Sequence, residues 1–194
     1  RNTGGILVFD LPNLPVMGGG NTVIESNLVV ANDTPNFAPK GNIVASVPRG
    51  TGIMVMANDG VWVRDNRIAD NPTAQVLVVS YPRPFTDKTY NPLPRNVIIG
   101  ENGFSGGGDQ PQIPGGDQLK AAFGGRLPDV IWDGIGKQGP ILNYPGSYLS
   151  LGLPGPDVGM AEVRPQLVKP PVPASINAPS ALGAPAALDA RARP

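Results

Sequence analysis

The chain has 194 residues, enough for one domain with a sizeable core, and its 26 Gly and 24 Pro exclude a helical protein, since Pro cannot sit inside helices or central strands and Gly weakens both. Fifteen basic residues balance fifteen acidic ones, so no net field or Lys/Arg run favours a nucleic-acid backbone or an anionic membrane. Cys and His are absent, which removes disulfides, thiolate and imidazole metal sites and His-centred triads together.

No apolar run reaches the length of a membrane span, and Arg1-Asn2-Thr3 is neither a signal peptide nor an initiator start. The chain enters its pattern at full stride, which predicts a processed chain with upstream coils missing. GILVFD (5–10), a short apolar run closed by an acid and then Leu11-Pro12, reads as a strand. The same form returns as GIMVMAND (52–59), QVLVVSY (75–81) and PDVIWDG (128–134), the first strand of each coil. A second strand carries an asparagine: TVIESNLVVAN ends at Asn32, VWVRDNRIADN at Asn71 and NVIIGENGFSG at Gly106. Aligned, these place Asn27, Asn66 and Asn102 in one column, with Val29, Ile68 and Phe104 in the next inward column.

Alternation with a fixed polar residue at a corner is the grammar of a parallel β-solenoid. Ile53 to Val76 spans 23 residues, one bare coil, whereas Ile6 to Ile53 spans 47 and Val76 to Val130 spans 54. The excess falls at 12–20, 33–51, 82–96 and 105–127, corner insertions of the kind a stack tolerates, with a short helix predicted at Gln118–Phe123. Asn suits the corner because it accepts left-handed backbone angles and its amide both donates and accepts, so Asn27, Asn66 and Asn102 are expected to form a structural ladder. Past Ile135 the pattern fades into a cap. The predicted division is 1–150 for coils and cap, and 151–194 for a Pro/Ala-rich extended tail or linker.

GILVFDLPNLP, NFAPKGNIVASVPRGTGIMVMAND, NPTAQVLVVSY and LPDVIWDGI resemble the exported bacterial parallel β-helix repeat-containing proteins, related in fold to pectate lyases and to periplasmic copper-maturation β-helix proteins. The similarity covers roughly residues 4–150, most clearly 37–81, and looks like a C-terminal part of such a protein. It implies an all-β, right-handed parallel β-helix and a periplasmic, cell-surface or secreted location.

Polysaccharide lyases of this fold join carboxylates that hold Ca²⁺ to a basic residue that removes a proton. The eligible groups are Asp10, Asp59, Asp65, Asp70 and Asp133, with Arg64 and Arg67 near, and pairing on a solvated face accounts for Arg64, Asp65 and Arg67. Asp10 and Asp133 are separated in their column by Ala57 and Ser80, too far apart to share an ion. No catalytic residue, metal ligand or cofactor is therefore assigned, calcium being what the lyase alternative would need. Trp62, Tyr81, Phe85 and Tyr90 are the candidate glycan contacts, weighed against packing for the same rings. The Gly-rich 105–118 lacks the Lys-Ser/Thr ending of a phosphate loop.

The expected function is an exported scaffold or carbohydrate-recognition module whose insertions form the contact surface. The alternatives are a lyase or epimerase of uronate polymers and an assembly protein stacking through its end and tail. The expected partner is a polysaccharide or another protein chain, with no nucleic acid and no membrane span.

Overall fold

The computed structural model describes residues 2–155 and 163–172. A first sheet holds β1 (Gly4–Phe9), β4 (Thr51–Met56), β7 (Ala74–Val79), β10 (Val130–Trp132), β12 (Tyr148–Ser150) and β13 (Gln166–Val168), in that order. A second holds β2 (Gly20–Glu25), β5 (Asp59–Arg64), β8 (Arg95–Ile99) and β11 (Ile141–Leu142), and a third holds β3 (Leu28–Val30), β6 (Arg67–Ala69) and β9 (Gly103–Ser105). All neighbours pair in parallel except β12 with β13. The chain visits first, second and third sheet in the same order three times; each such pass is called a layer below.

The registers join the residues that the repeat aligned. Ile6 lies beside Ile53, Ile53 beside Val76, and Val76 beside Val130. Val29, Ile68 and Phe104 also share a register. Inward side chains of all three sheets meet in one core, with Ile53, Val55, Val61, Ile68, Val76, Val97 and Ile141 fully enclosed. β-Branched residues suit this stacking because they pack against their like on neighbouring pleated strands.

One expectation is corrected. The predicted second strand is two strands in two sheets, broken at Ser26 and Asp65, which stand at φ 56° and 55°. A left-handed residue turns the chain without an inserted loop, so the apolar alternation reads through the corner.

The insertions also settle differently from free-standing loops. Strand β4 is buried at every position, so its outward side chains Met54 and Met56 are covered too. Met54, Met56, Leu77, Ile131 and Leu149 form a second core on the outer face of the first sheet. It is roofed by Leu11 and Met17, by Val44 and Val47 around a 3₁₀ turn at Ile43–Ser46, by Tyr81 and Tyr90, by Leu119 of helix α1 (Gly116–Ala122) and by Phe123 just after that helix. A sheet buried on both faces needs continuous apolar strands. This is why GILVF, IMVM and VLVV run unbroken while VWVR in the second sheet alternates.

Within the stretch expected as a tail, β13 runs antiparallel to β12, and Asn143 N–H donates to the carbonyl of Pro171 at 3.1 Å. Residues 156–162 and 173–194 of that stretch lie outside the described residues. No helix among the described residues is long and apolar enough to cross a membrane.

Candidate functional site

Two amide ladders hold the corners. Asn66 Oδ1 accepts from both the backbone N–H and Nδ2 of Asn27, each at 3.0 Å, and Asn102 Oδ1 accepts the same pair from Asn66. Asn66 Nδ2 also donates to the carbonyls of Ile24 and Arg64 at 2.9 Å. These asparagines work inside the fold, and Asn66 is only 3% exposed.

A second ladder five residues on was not read from the sequence. Asn71 Oδ1 accepts from Asn32 N–H and Nδ2 at 3.1 and 3.0 Å, and Asn71 Nδ2 donates to Gln75 Oε1 at 2.7 Å. The third layer has Gly107 where an asparagine would stand, and Gln75 reaches in from the next strand to fill the place, donating to the carbonyls of Ser105 and Gly106.

The acids do not converge. Arg64 pairs with Glu25 at 2.9 Å across two layers, while Asp65 and Arg67 stand at an open corner pocket of about 600 Å³ with Glu101 and Asn102. Asp10 Oδ1 and Oδ2 accept from the N–H groups of Leu11 and Gly18, and Asp133 from those of Ser80 at 2.6 Å and Ile135 at 3.0 Å. Both are buried and pin corners. Among the described residues no group of three or more acids stands where it could hold a metal ion.

Burial pushes the Asp133 carboxyl above the usual aspartate range, against the two backbone N–H bonds that pull it back. A raised folded value means that its contribution to stability falls as pH rises from the unfolded range, near about 4, through the folded value. Urea denaturation between about pH 4 and pH 8 is therefore expected to show a downward slope that Asp133→Asn lacks. Equal slopes in the two proteins would refute this assignment.

The four candidate aromatic contacts divide into two groups. Tyr81, Phe85 and Tyr90 pack edge to face with one another, their ring centres 5.1 to 6.2 Å apart. Tyr90 is 7% exposed and its hydroxyl donates to the Asp10 carbonyl at 2.8 Å, with burial raising its pKa. Tyr81 and Tyr90 roof the outer core, and Phe85 packs on their rings.

Trp62 stands apart on the outer face of the second sheet, between Val23 and Ile98 of the adjacent strands. Its six-membered ring lies against Gly60, where a Cβ would come within 3.3 Å of Cζ3. Asn21, Gly60 and Asn96 form a column at φ 54°, 61° and 48°, a conformation that Asn and Gly enter at least cost. Asp59 accepts from Asn96 Nδ2 at 2.8 Å and from Arg95 Nε at 3.1 Å. Burial opposes the ionised Asp59 as the largest single influence, but the Asn96 and Arg95 bonds with the Arg95 charge outweigh it, and the carboxyl is held below its ordinary range.

Together Asn21, Asp59, Gly60, Trp62, Asn96 and Ile98 line an open depression of about 390 Å³. The indole Nε1 is buried and has no acceptor among the described residues. None of Tyr81, Phe85 and Tyr90 lines this depression. Sequence reasoning found Trp62 but not Asn21 and Asn96, whose signal is their equal offset from the outward residues Val23 and Ile98 that flank Trp62 on the adjacent strands. Set against protein-family models, curated proteins and solved structures, the chain finds no match in any of the three comparisons.

Proposed function

We propose that this chain is an exported carbohydrate-recognition module built on a right-handed parallel β-helix, with the Trp62 depression as its sugar subsite. The observation that carries the reading is Trp62 laid over Gly60 beside the amides of Asn21 and Asn96 and the carboxylate of Asp59. A sugar ring offers an apolar face of C–H groups and a rim of hydroxyls. An aromatic surface answers the first, and planar amides that both donate and accept, with a carboxylate that accepts, answer the second.

The order in which the three sheets are visited, with every return parallel, supports the β-helix. The resemblance of residues 4–150 to exported repeat proteins supports the location. A lyase or epimerase has less support, because Asp10 and Asp133 clamp corners and Arg64 pairs with Glu25 across layers, while Asp65, Arg67 and Glu101, which do share a pocket, stand at an open corner.

The test is a glycan array probed with the full chain and with Trp62→Ala. Retention of a defined class of glycan by the wild type, and at least tenfold weaker retention by the variant, is expected, with the thermal midpoint of the variant within a few degrees. Of the two tryptophans, Trp132 is 6% exposed inside the core, so a ligand-dependent change in indole fluorescence would report on Trp62. An array without retention, or equal binding by Trp62→Ala, would remove this reading.

A further inference from the structure

Building on the Trp62 subsite proposed above, we infer that its ligand is an uncharged, unbranched glycan lying along the stack axis on the outer face of the second sheet. The strand registers set Val23, Trp62, Ile98 and Leu142 side by side, one outward residue from each of β2, β5, β8 and β11. None of these residues belongs to either apolar core, whereas Ile24, Val61, Val63, Val97 and Ile141 on the same strands face inward and do. Val23, Trp62 and Leu142 stay partly exposed, and Ile98 lies deepest at 7%. Neighbouring strands are about 4.8 Å apart, so the column makes an apolar stripe of about 14 Å, room for about three sugar rings end to end.

The stripe is one residue wide, which suits a linear chain. Two residues before it on the strands stand Asn21, Gly60 and Asn96. Two residues after it stand Glu25 and Arg64, closed on each other at 2.9 Å. An apolar line between a row of amides and a neutralised ion pair recurs with the period of the stack. A polymer that repeats ring after ring meets similar surroundings at each step, its C–H faces on the stripe and its hydroxyls toward the amides.

Charge then selects among such polymers. Asp59 lines the Trp62 depression, and its carboxyl is ionised at neutral pH. Arg95 donates to Asp59 Oδ2 at 3.1 Å and to the Leu93 carbonyl at 2.9 Å, and Arg64 is held by Glu25. No Lys or Arg stands among the described residues that line the depression. A uronate or sulfated ring would therefore set its charge near Asp59 with no cation to receive it, a like-charge contact that rejects the ligand. An uncharged ring meets no such penalty.

Titration calorimetry on the full chain tests this with gluco-, manno- and xylo-oligosaccharides of increasing length and with oligomannuronates and oligogalacturonates of matching length. At least one uncharged series should bind, its affinity rising about tenfold or more from one ring to three and then levelling, with every uronate series about tenfold weaker or more. Val23→Arg and Leu142→Arg, at the two ends of the stripe, should each weaken the three-ring ligand about fivefold or more while circular dichroism is unchanged. Asp59→Asn, which leaves the Arg95 guanidinium unmatched, should narrow the gap between uncharged and uronate ligands. Uronates bound as tightly as uncharged chains, or one ring bound as tightly as three, would overturn the inference and leave the sugar subsite standing where Trp62→Ala still abolishes binding. No binding in any series removes both, as does self-association of the chain that Trp62→Ala weakens without any glycan bound, which would give this face to a second copy.

Discussion

Replacing Asn66 with alanine is expected to lower stability by about 3–5 kcal/mol, among the largest effects of any substitution outside the apolar core. The side chain is the middle of its ladder. It accepts two N–H groups from Asn27 and donates to Asn102 Oδ1, Ile24 O and Arg64 O. Alanine removes all of these bonds, and the carbonyl of Ile24 lies where water has little access. Each buried polar group left alone costs about 1–3 kcal/mol, and solvent entering the corner recovers part of the total.

Asn66→Asp sharpens the test because it keeps the shape and the acceptor. At neutral pH a carboxylate at this site would face three oxygens that now receive Nδ2, so it should be at least as damaging as alanine. Acidification that protonates it restores one donor and should recover part of the loss. Chemical denaturation of both variants at two pH values decides the matter. An alanine effect below about 1 kcal/mol would mean that the ladder is incidental to stability.

How much of this was legible in the sequence depends on whether a feature leaves a column. Ile6, Ile53, Val76 and Val130 stand in register because inward positions of stacked strands face the same neighbours, and the chain repeats the same residue class there. Asn27, Asn66 and Asn102 were legible for the same reason. The division of the second strand at Ser26 and Asp65 was not, since a single left-handed residue leaves no gap in the apolar pattern. The roofing of the first sheet by its insertions was visible only indirectly, in outward Met54, Met56 and Leu77, which a solvent-facing sheet would not carry. The pairing of β13 with β12 was hidden because three residues between prolines carry no periodic signal. At the candidate site the ring of Trp62 was legible but its polar surround was not. Asn21 and Asn96 were chosen by a backbone angle that recurs across layers, and that constraint shows only when the strands are set side by side.

The second amide ladder makes a different kind of constraint testable, since one space has been filled in two ways. In the second layer Asn71 fills the corner and the facing strand residue is Gly52, where a Cβ would lie 2.5 Å from Gln75 O and 2.8 Å from Asn71 Nδ2. In the third layer the corner is Gly107 and the strand residue beside Gly52 is Gln75; a Cβ on Gly107 would meet the Asn71 carbonyl and, at 2.7 Å, Gln75 Nε2. One amide occupies the corner in each case, from one side or the other. Gly52→Gln alone places two side chains in that volume and is expected to cost about 3 kcal/mol or more. Asn71→Gly alone leaves the Asn32 donors and the Val29 carbonyl without their partner and should cost a similar amount, about 3 kcal/mol. Combined, they transplant the third-layer arrangement into the second, where a glutamine amide can accept from Asn32 and donate to the carbonyls of Ala69 and Asp70. Ala69 lies in register with Ser105, one of the two residues whose carbonyls receive Gln75 in the third layer. The double variant is therefore expected to be more stable than the sum of the singles predicts by about 2–3 kcal/mol, measured as a double-mutant cycle in urea. Additive losses would show that Gln75 merely occupies space left by Gly107, and that the exchange of amide for glycine between strand and corner is not a compensation.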